Sequence, residues 1–332
     1  MKTYTAARII EYIKEKRQAR VKDLIRLLGI SNVAVHKQLK KLISEGLLQK
    51  AGKPPLVFYT LSEKLDSNQE KTTFPKTIKD TIENNFLSIT PDGRLLYGVE
   101  GFIYWANIYQ KSKNLSVLGK IYQNAIRQKK QYTAKDGWID ATQKLTFAFK
   151  KTSIDRLLFQ DIYSYPVFGR TKLAKLVMYA KQTENKILID QIASTSMPMI
   201  EKIIKEFDIS AIGFIPPTIP RRIQFIDELE TRLNISLPKI DLVKIMSGDV
   251  LVPQKTLAKL EERVINARTS IYLKHTTEPS YANVLLIDDV AGSGASFNET
   301  ASKLNASKIG NKKIVAFAIV GNIKGYDVIR QM

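Results

Sequence analysis

The stretch VLLIDDVAGSGASFNETASKLN, residues 284–305, decides the reading of the fold. An unbroken apolar run ends at two adjacent acids, Asp288 and Asp289. So short and uniformly apolar a run is the composition of a parallel strand covered on both faces. The small residues 291–296 follow as a loop, SFNETASKLN has a helical pattern, and KIVAFAIVG (313–321) reads as the next covered strand. Strand, loop, helix, strand predicts an α/β domain with a doubly wound parallel sheet. The loop then joins the C-terminal end of a strand to a helix N-terminus, where free backbone N–H groups and the helix dipole attract phosphate. Gly292 and Gly294 permit unusual backbone angles and close approach, Ala291 and Ala295 keep the loop small, and Ser293 and Ser296 add hydroxyl donors. Two carboxylates beside such a loop would repel phosphate alone. They fit a ligand that also presents a vicinal diol or a bound Mg²⁺, and a sugar phosphate meets both conditions. A Walker A loop is excluded because no GK[ST] occurs.

Working outward, AIGFIPP (211–217) reads as an earlier strand, leading through residues 218–220 to Arg221, Arg222 and a helix. KIDLVKIM (239–246) reads as another strand, before SGDVLVPQKTLAKLEERVINARTSIYL. IDDVAGSGAS resembles the phosphoribosyl pyrophosphate (PRPP) motif of type I phosphoribosyltransferases: an apolar strand, two acids, a loop of small and hydroxyl residues. That resemblance implies that Asp288 and Asp289 address the ribose 2′- and 3′-hydroxyls and that residues 291–296 (Ala291, Gly292, Ser293, Gly294, Ala295, Ser296) hold the 5′-phosphate. It also implies Mg²⁺ bound with PRPP, not by protein ligands. The pieces at residues 216–222, at Pro253, Gln254, Leu257, Glu262, Arg263, Asn266 and Ala267, and at 287–296 resemble the ComF-type branch of that family. GRTKLAKLVMYAKQTENK is similar to the branch's opening helix and lysine, and the resemblance covers roughly residues 160–325. Three departures stand out. The branch's cysteine-rich zinc segment is missing. RIQFIDE replaces its usual R-G-F-N-Q, on the pyrophosphate side, where Arg221, Arg222 and Lys244 are the candidate cations. Ala291–Gly292 stands where a larger residue and a threonine are commoner, leaving one hydroxyl fewer.

The front of the chain has a different character. Of the formal net charge of +20, residues 1–61 hold 13 Lys and Arg against 4 Asp and Glu, nearly half the excess in under a fifth of the length. Ala6, Ile9, Ile10 and Ile13 have helical spacing, VKDLIRLLG forms a second helix that Gly29 ends, and Ser31 is suited to cap a third, SNVAVHKQLKKLISEG. LLQKAGKPPLVFYTL then predicts a hairpin with a tight basic turn at residues 50–53. Helix, helix, turn, helix, hairpin resembles the winged helix-turn-helix superfamily. The resemblance implies a recognition helix in the major groove of double-stranded DNA, with Ser31, Asn32, Val33, His36, Lys37, Lys40 and Lys41 facing it. Lys50 and Lys53 on the wing would meet phosphates. Such folds also serve protein contacts, and lysine-rich faces are often only solvated; the charge excess on this helix and hairpin favours DNA.

The sequence is thus expected to divide into residues 1–61, a DNA-binding domain; 62–160, a linker and a helical module of unknown role; and 161–332, the phosphoribosyltransferase-like domain. In the middle, residues 62–78 are polar, TPDG (90–93) is a turn between helical stretches, and Phe102, Tyr104, Trp105, Tyr109 and Tyr122 form an aromatic set. Such a set is more often a core or subunit interface than a stacking surface for nucleic acid. Cysteine is absent and only His36 and His275 occur, which excludes disulfides and cysteine-bound zinc and leaves little for other transition metals. No apolar run approaches the ~18 residues of a membrane span, and the N-terminus lacks the apolar core of a signal peptide, so a cytoplasmic location is expected. Three functions follow. One is a transcription regulator sensing PRPP or a related nucleotide, its arrangement similar to that of the purine operon repressors and its form a homodimer. The second is a working phosphoribosyltransferase. The third is a ComF-like accessory protein in DNA uptake or recombination.

Overall fold

The structure, a computed structural model, describes residues 2–62, 74–110, 113–246, 248–275 and 279–323. It forms two compact units, Met1–Thr73 and Phe74–Met332. The polar stretch expected as a linker lies mostly, at 63–73, outside the described residues.

In the first unit, α1 (Lys2–Lys16), α2 (Val21–Leu28) and α3 (Asn32–Ser44) precede an antiparallel hairpin of β1 (Leu48–Lys53) and β2 (Leu56–Leu61). Ile9, Ile13, Leu24, Val35, Leu39, Leu42, Leu48 and Tyr59 make its core, each helix contributing one stripe. The Ser31 hydroxyl accepts a hydrogen bond from the Ala34 N–H at 3.3 Å, fixing where α3 begins. The hairpin corrects the expected basic turn. Residues 50–53 belong to β1, Lys53 pairs with Leu56, and the turn is Pro54 and Pro55. Proline has no N–H to give a ladder, so the two prolines take the bend and the lysines stay in the strand. Arg20 braces this tip by donating to the Pro55 carbonyl at 3.2 Å.

The second unit is mixed α/β. Its first part holds α4 (Lys76–Asn85), the hairpin β3 (Leu87–Ile89) and β4 (Leu95–Tyr97), α5 (Gly98–Tyr109) and α6 (Leu115–Lys130). Phe74, Phe86, Phe102, Trp105, Tyr122 and Phe168 pack ring against ring there, mostly edge to face. Of the aromatic set, Phe102, Trp105 and Tyr122 are therefore core, whereas Tyr109 is exposed. Next come β5 (Ile139–Asp140), α7 (Thr142–Ala148), β6 (Arg156–Ile162), the small pair β7 (Ser164–Tyr165) and β8 (Gly169–Arg170), α8 (Lys172–Thr183) and α9 (Lys186–Glu206). The chain continues through β9 (Ala211–Phe214), α10 (Phe225–Leu233), β10 (Leu242–Lys244), α11 (Leu260–Ser270), β11 (Ile271–Leu273), β12 (Tyr281–Ala291), α12 (Ala295–Ala306) and β13 (Gly310–Gly321).

Among the described residues the central sheet has five strands in the order β5-β6-β13-β12-β9. Only the β5–β6 pairing is antiparallel. The boundary expected at 160/161 falls inside β6, because this strand's apolar side chains complete the sheet beside β13. Residues 74–162 are thus continuous with the sheet: Ile162, Tyr165 and Phe168 join the aromatic core, and Lys129 on α6 pairs with Asp161 at 3.0 Å. The strand expected at 239–246 is β10, which pairs with β11 rather than entering the central sheet; among the described residues a single backbone bridge, Ile212–Lys239, links that segment to β9.

Strand alternation sorts the core. Leu285 and Ile287 of β12 point to the face covered by α8, α9 and α10; Val284 and Leu286 point to the face covered by α7, α11 and α12. Among the described residues no helix is long and apolar enough to cross a membrane.

Candidate functional site

β6, β13, β12 and β9 run parallel, so their C-terminal ends share one edge of the sheet, and a cavity of about 590 Å³ opens there. Its rim draws on the ends of β6 (Tyr163), β9 (residues 215–218) and β12 (residues 288–291), on α8, and on the segment leading into α11. This is where open parallel sheets bind ligands, since the strands end there and the following loops diverge.

Asp288, Asp289, Ala291, Gly292, Ser293, Gly294, Ala295 and Ser296 all line the cavity. Two residues beyond Ile287 on the same face, Asp289 points towards α8, where it forms a close ion pair with Lys181 and is only 7% exposed. Asp288 accepts a hydrogen bond from the Asp289 N–H at 2.8 Å, and its carboxyl lies close enough to the Asp289 carboxylate and the Lys181 ammonium to interact with both. Burial, reinforced by the adjacent Asp289 carboxylate, raises the Asp288 pKa well above the usual carboxylate value. Burial acts to lower the Lys181 pKa, but the attraction of Asp289, joined by Asp288, outweighs it and the net shift is upward. Lys181 therefore stays charged.

The loop makes one abrupt turn. Gly294 caps α12 with φ 85° and ψ 0°, a left-handed conformation, and Ser293 accepts a hydrogen bond from the Ala295 N–H at 3.3 Å. The loop is also held from below by a region for which the sequence suggested no role. Lys144 on α7 donates to the carbonyls of Gly292 at 2.5 Å and Asn322 at 2.6 Å. Leu145, fully buried, packs under Gly294. The Ser153 N–H donates to Asn298 Oδ1 at 2.8 Å, anchoring the first turn of α12.

The candidate cations separate. Arg221 and Lys244 line the cavity; Arg222 does not. The Arg222 side chain is 85% exposed and lies 3.5 Å from Glu184, outside the cavity lining. The Lys244 ammonium donates to the Thr218 hydroxyl at 2.6 Å. Burial lowers its pKa, with Asp288 opposing. Three cavity cations were not among the expected site residues, Lys181, Lys255 and Arg263. Lys181 and Arg263 fall within sequence pieces noted above, but nothing in the spacing showed which way their side chains point.

The first unit displays a second candidate surface. On α3, Asn32, Val33, His36, Lys37, Lys40 and Lys41 are exposed, as are Lys50 and Lys53 on β1, while Val35, Leu39 and Leu42 face inward. Val33 is 79% exposed, unusual for a valine at a helix start, and Ile43 also faces out instead of joining the core stripe. Lys41 lies 3.5 Å from Glu45, which blunts part of its charge. Among the described residues, no cluster of three or more His, Asp or Glu side chains could hold a metal ion. Comparison with models of known protein families finds no match, and neither does comparison with curated proteins.

Proposed function

We propose that this chain is a DNA-binding transcriptional regulator whose second unit senses PRPP or a related ribose phosphate. The observation that carries the reading is the shared cavity, with Asp288 at one wall and the loop 291–296 entering α12 at another. A carboxylate accepts from sugar hydroxyls, while loop N–H groups and a helix N-terminus donate to a phosphate. A phosphorylated ribose satisfies both at once. Arg221, Lys244 and Lys181 would face the diphosphate end, and Mg²⁺ would arrive with that diphosphate and neutralise part of its charge, the acids addressing the sugar hydroxyls. The helical front unit, of winged helix-turn-helix type in this reading, would place the exposed face of α3 in the major groove and Lys50 and Lys53 on the backbone.

The coupling is thermodynamic. If PRPP prefers one of two arrangements that differ in DNA affinity, its binding shifts DNA affinity by the ratio of its own affinities for the two. The working form would be a homodimer reading a two-fold site.

The test is a gel shift on the DNA upstream of the protein's own gene, with and without PRPP and Mg²⁺. Sequence-selective binding that responds to PRPP is expected. Replacing Asp288 and Asp289 together by Asn should abolish the response and spare DNA binding. DNA binding indifferent to both sequence and PRPP would point instead to an accessory role in DNA uptake or recombination. Pyrophosphate release from PRPP with a purine or pyrimidine base would point to a working transferase.

A further inference from the structure

Arg263 is an anomaly that the reading above leaves unused. It sits on the first turns of α11 and is 5% exposed, among the most buried charged side chains in the chain. Its Nε donates to the Leu257 carbonyl at 3.1 Å. Among the described residues no carboxylate pairs with it, although an arginine carries five donors in a planar fork and stays protonated. Burial without a counter-charge lowers its pKa. A buried, unpaired cation is costly, and proteins keep one only where a partner is supplied.

The geometry points to that partner. Arg263 lines the cavity, and its Nη1 lies 3.2 Å from where a side chain on Gly292 would begin. The terminal nitrogens thus stand against the small-residue loop at the start of α12. The mount is rigid. Gln254 Nε2 donates to the Arg263 carbonyl and to Asn266 Oδ1, each at 3.0 Å, and Asn266 Nδ2 donates to the Val252 carbonyl at 3.2 Å. Gln254, Arg263 and Asn266 therefore form one brace: two residues tie the 252–257 segment to α11, and the third is held by its Nε with the rest of its fork free.

We infer that Arg263 is the counter-charge of an anion seated in the loop 291–296, donating through its terminal nitrogens to a phosphate monoester from the side opposite the α12 backbone N–H groups. Gly292 belongs to the same device, because any side chain there would press on the guanidinium. The loop, short of one hydroxyl donor, gains a charged one from a different helix. The assignment rests on the phosphate half of the proposed function and deepens it; it does not need the sugar half.

The experiment is calorimetry on the full chain with two probes, inorganic phosphate and ribose 5-phosphate. Arg263→Gln is expected to weaken both about ten- to a hundredfold, the range for a charge-assisted hydrogen bond. Asp288→Asn should weaken only ribose 5-phosphate. Gly292→Ala, which leaves the arginine in place and crowds it, should weaken both. Arg263→Lys, retaining charge without the fork, should recover part of the loss, and thermal melts establish that each variant is folded. Phosphate affinity equal to wild type in folded Arg263→Gln would overturn the inference, as would binding of neither probe by the wild type. Arg263-dependent binding of phosphate without any gain for the sugar would support it while removing the ribose reading.

Discussion

Gly294→Ala offers a quantitative test of how the loop is built. Gly294 has φ 85°, and an L-residue in a left-handed conformation costs about 1–2 kcal/mol. A new Cβ would lie 2.7 Å from Leu145 Cδ2, inside contact distance. Leu145 is at a side-chain end but fully buried, so moving it disturbs a packed site, a perturbation of about 1–3 kcal/mol. The total, about 2–5 kcal/mol, corresponds to roughly 4–20 °C in Tm for a unit of this size. Scanning calorimetry should show the transition of the second unit falling by that amount, with the first unit's unchanged. The decisive measurement is the cycle with Leu145→Ala. Leu145→Ala alone should cost about 2–5 kcal/mol through its cavity. In the double variant the new methyl enters that cavity, so the pair should cost about 1–3 kcal/mol less than the sum. Costs that add to within about 0.5 kcal/mol would refute the claim that α7 supports the loop through this contact.

Asp288→Asn should stabilise the second unit at neutral pH while weakening ribose 5-phosphate binding. The Asp288 pKa is raised in the folded state, so ionisation of Asp288 opposes folding above that raised value and costs nothing below the unfolded value of about 4. The Tm advantage of Asn should therefore shrink as pH falls towards 4, and a gap that widens on acidification would contradict the burial of this carboxylate. Lys37→Ala with Lys40→Ala should weaken DNA binding and reduce the slope of log affinity against log salt by roughly 2, leaving the PRPP affinity of the second unit intact; a fluorescence-anisotropy salt titration reads both. Ser31→Ala removes the acceptor for the Ala34 N–H and should lower the first unit's stability by about 1 kcal/mol in denaturant melts.

Most of what could be read in advance is local. The α3 cap at Ser31, the strand from 284, the loop at 291–296 and the helix after it depend on residues within a few positions of one another, and backbone preferences act at that range. The two acids and the loop share a cavity for the same reason: they are consecutive in the chain.

What meets those residues was settled elsewhere. Lys181 lies more than a hundred positions before Asp289, and Lys144 donates to Gly292 from a helix whose sequence carries no motif. Arg221 enters the cavity and Arg222 does not, although they are neighbours in the same unpatterned segment. The prolines, not the lysines, form the hairpin turn because the pairing register with β2 requires it. Sequence pattern located the strand that ends at the two acids, the small-residue loop after it and the helix that follows. The tertiary structure alone decided which cations surround that loop, because a side chain's direction is set by the phase of its own element and by packing against elements distant in the chain.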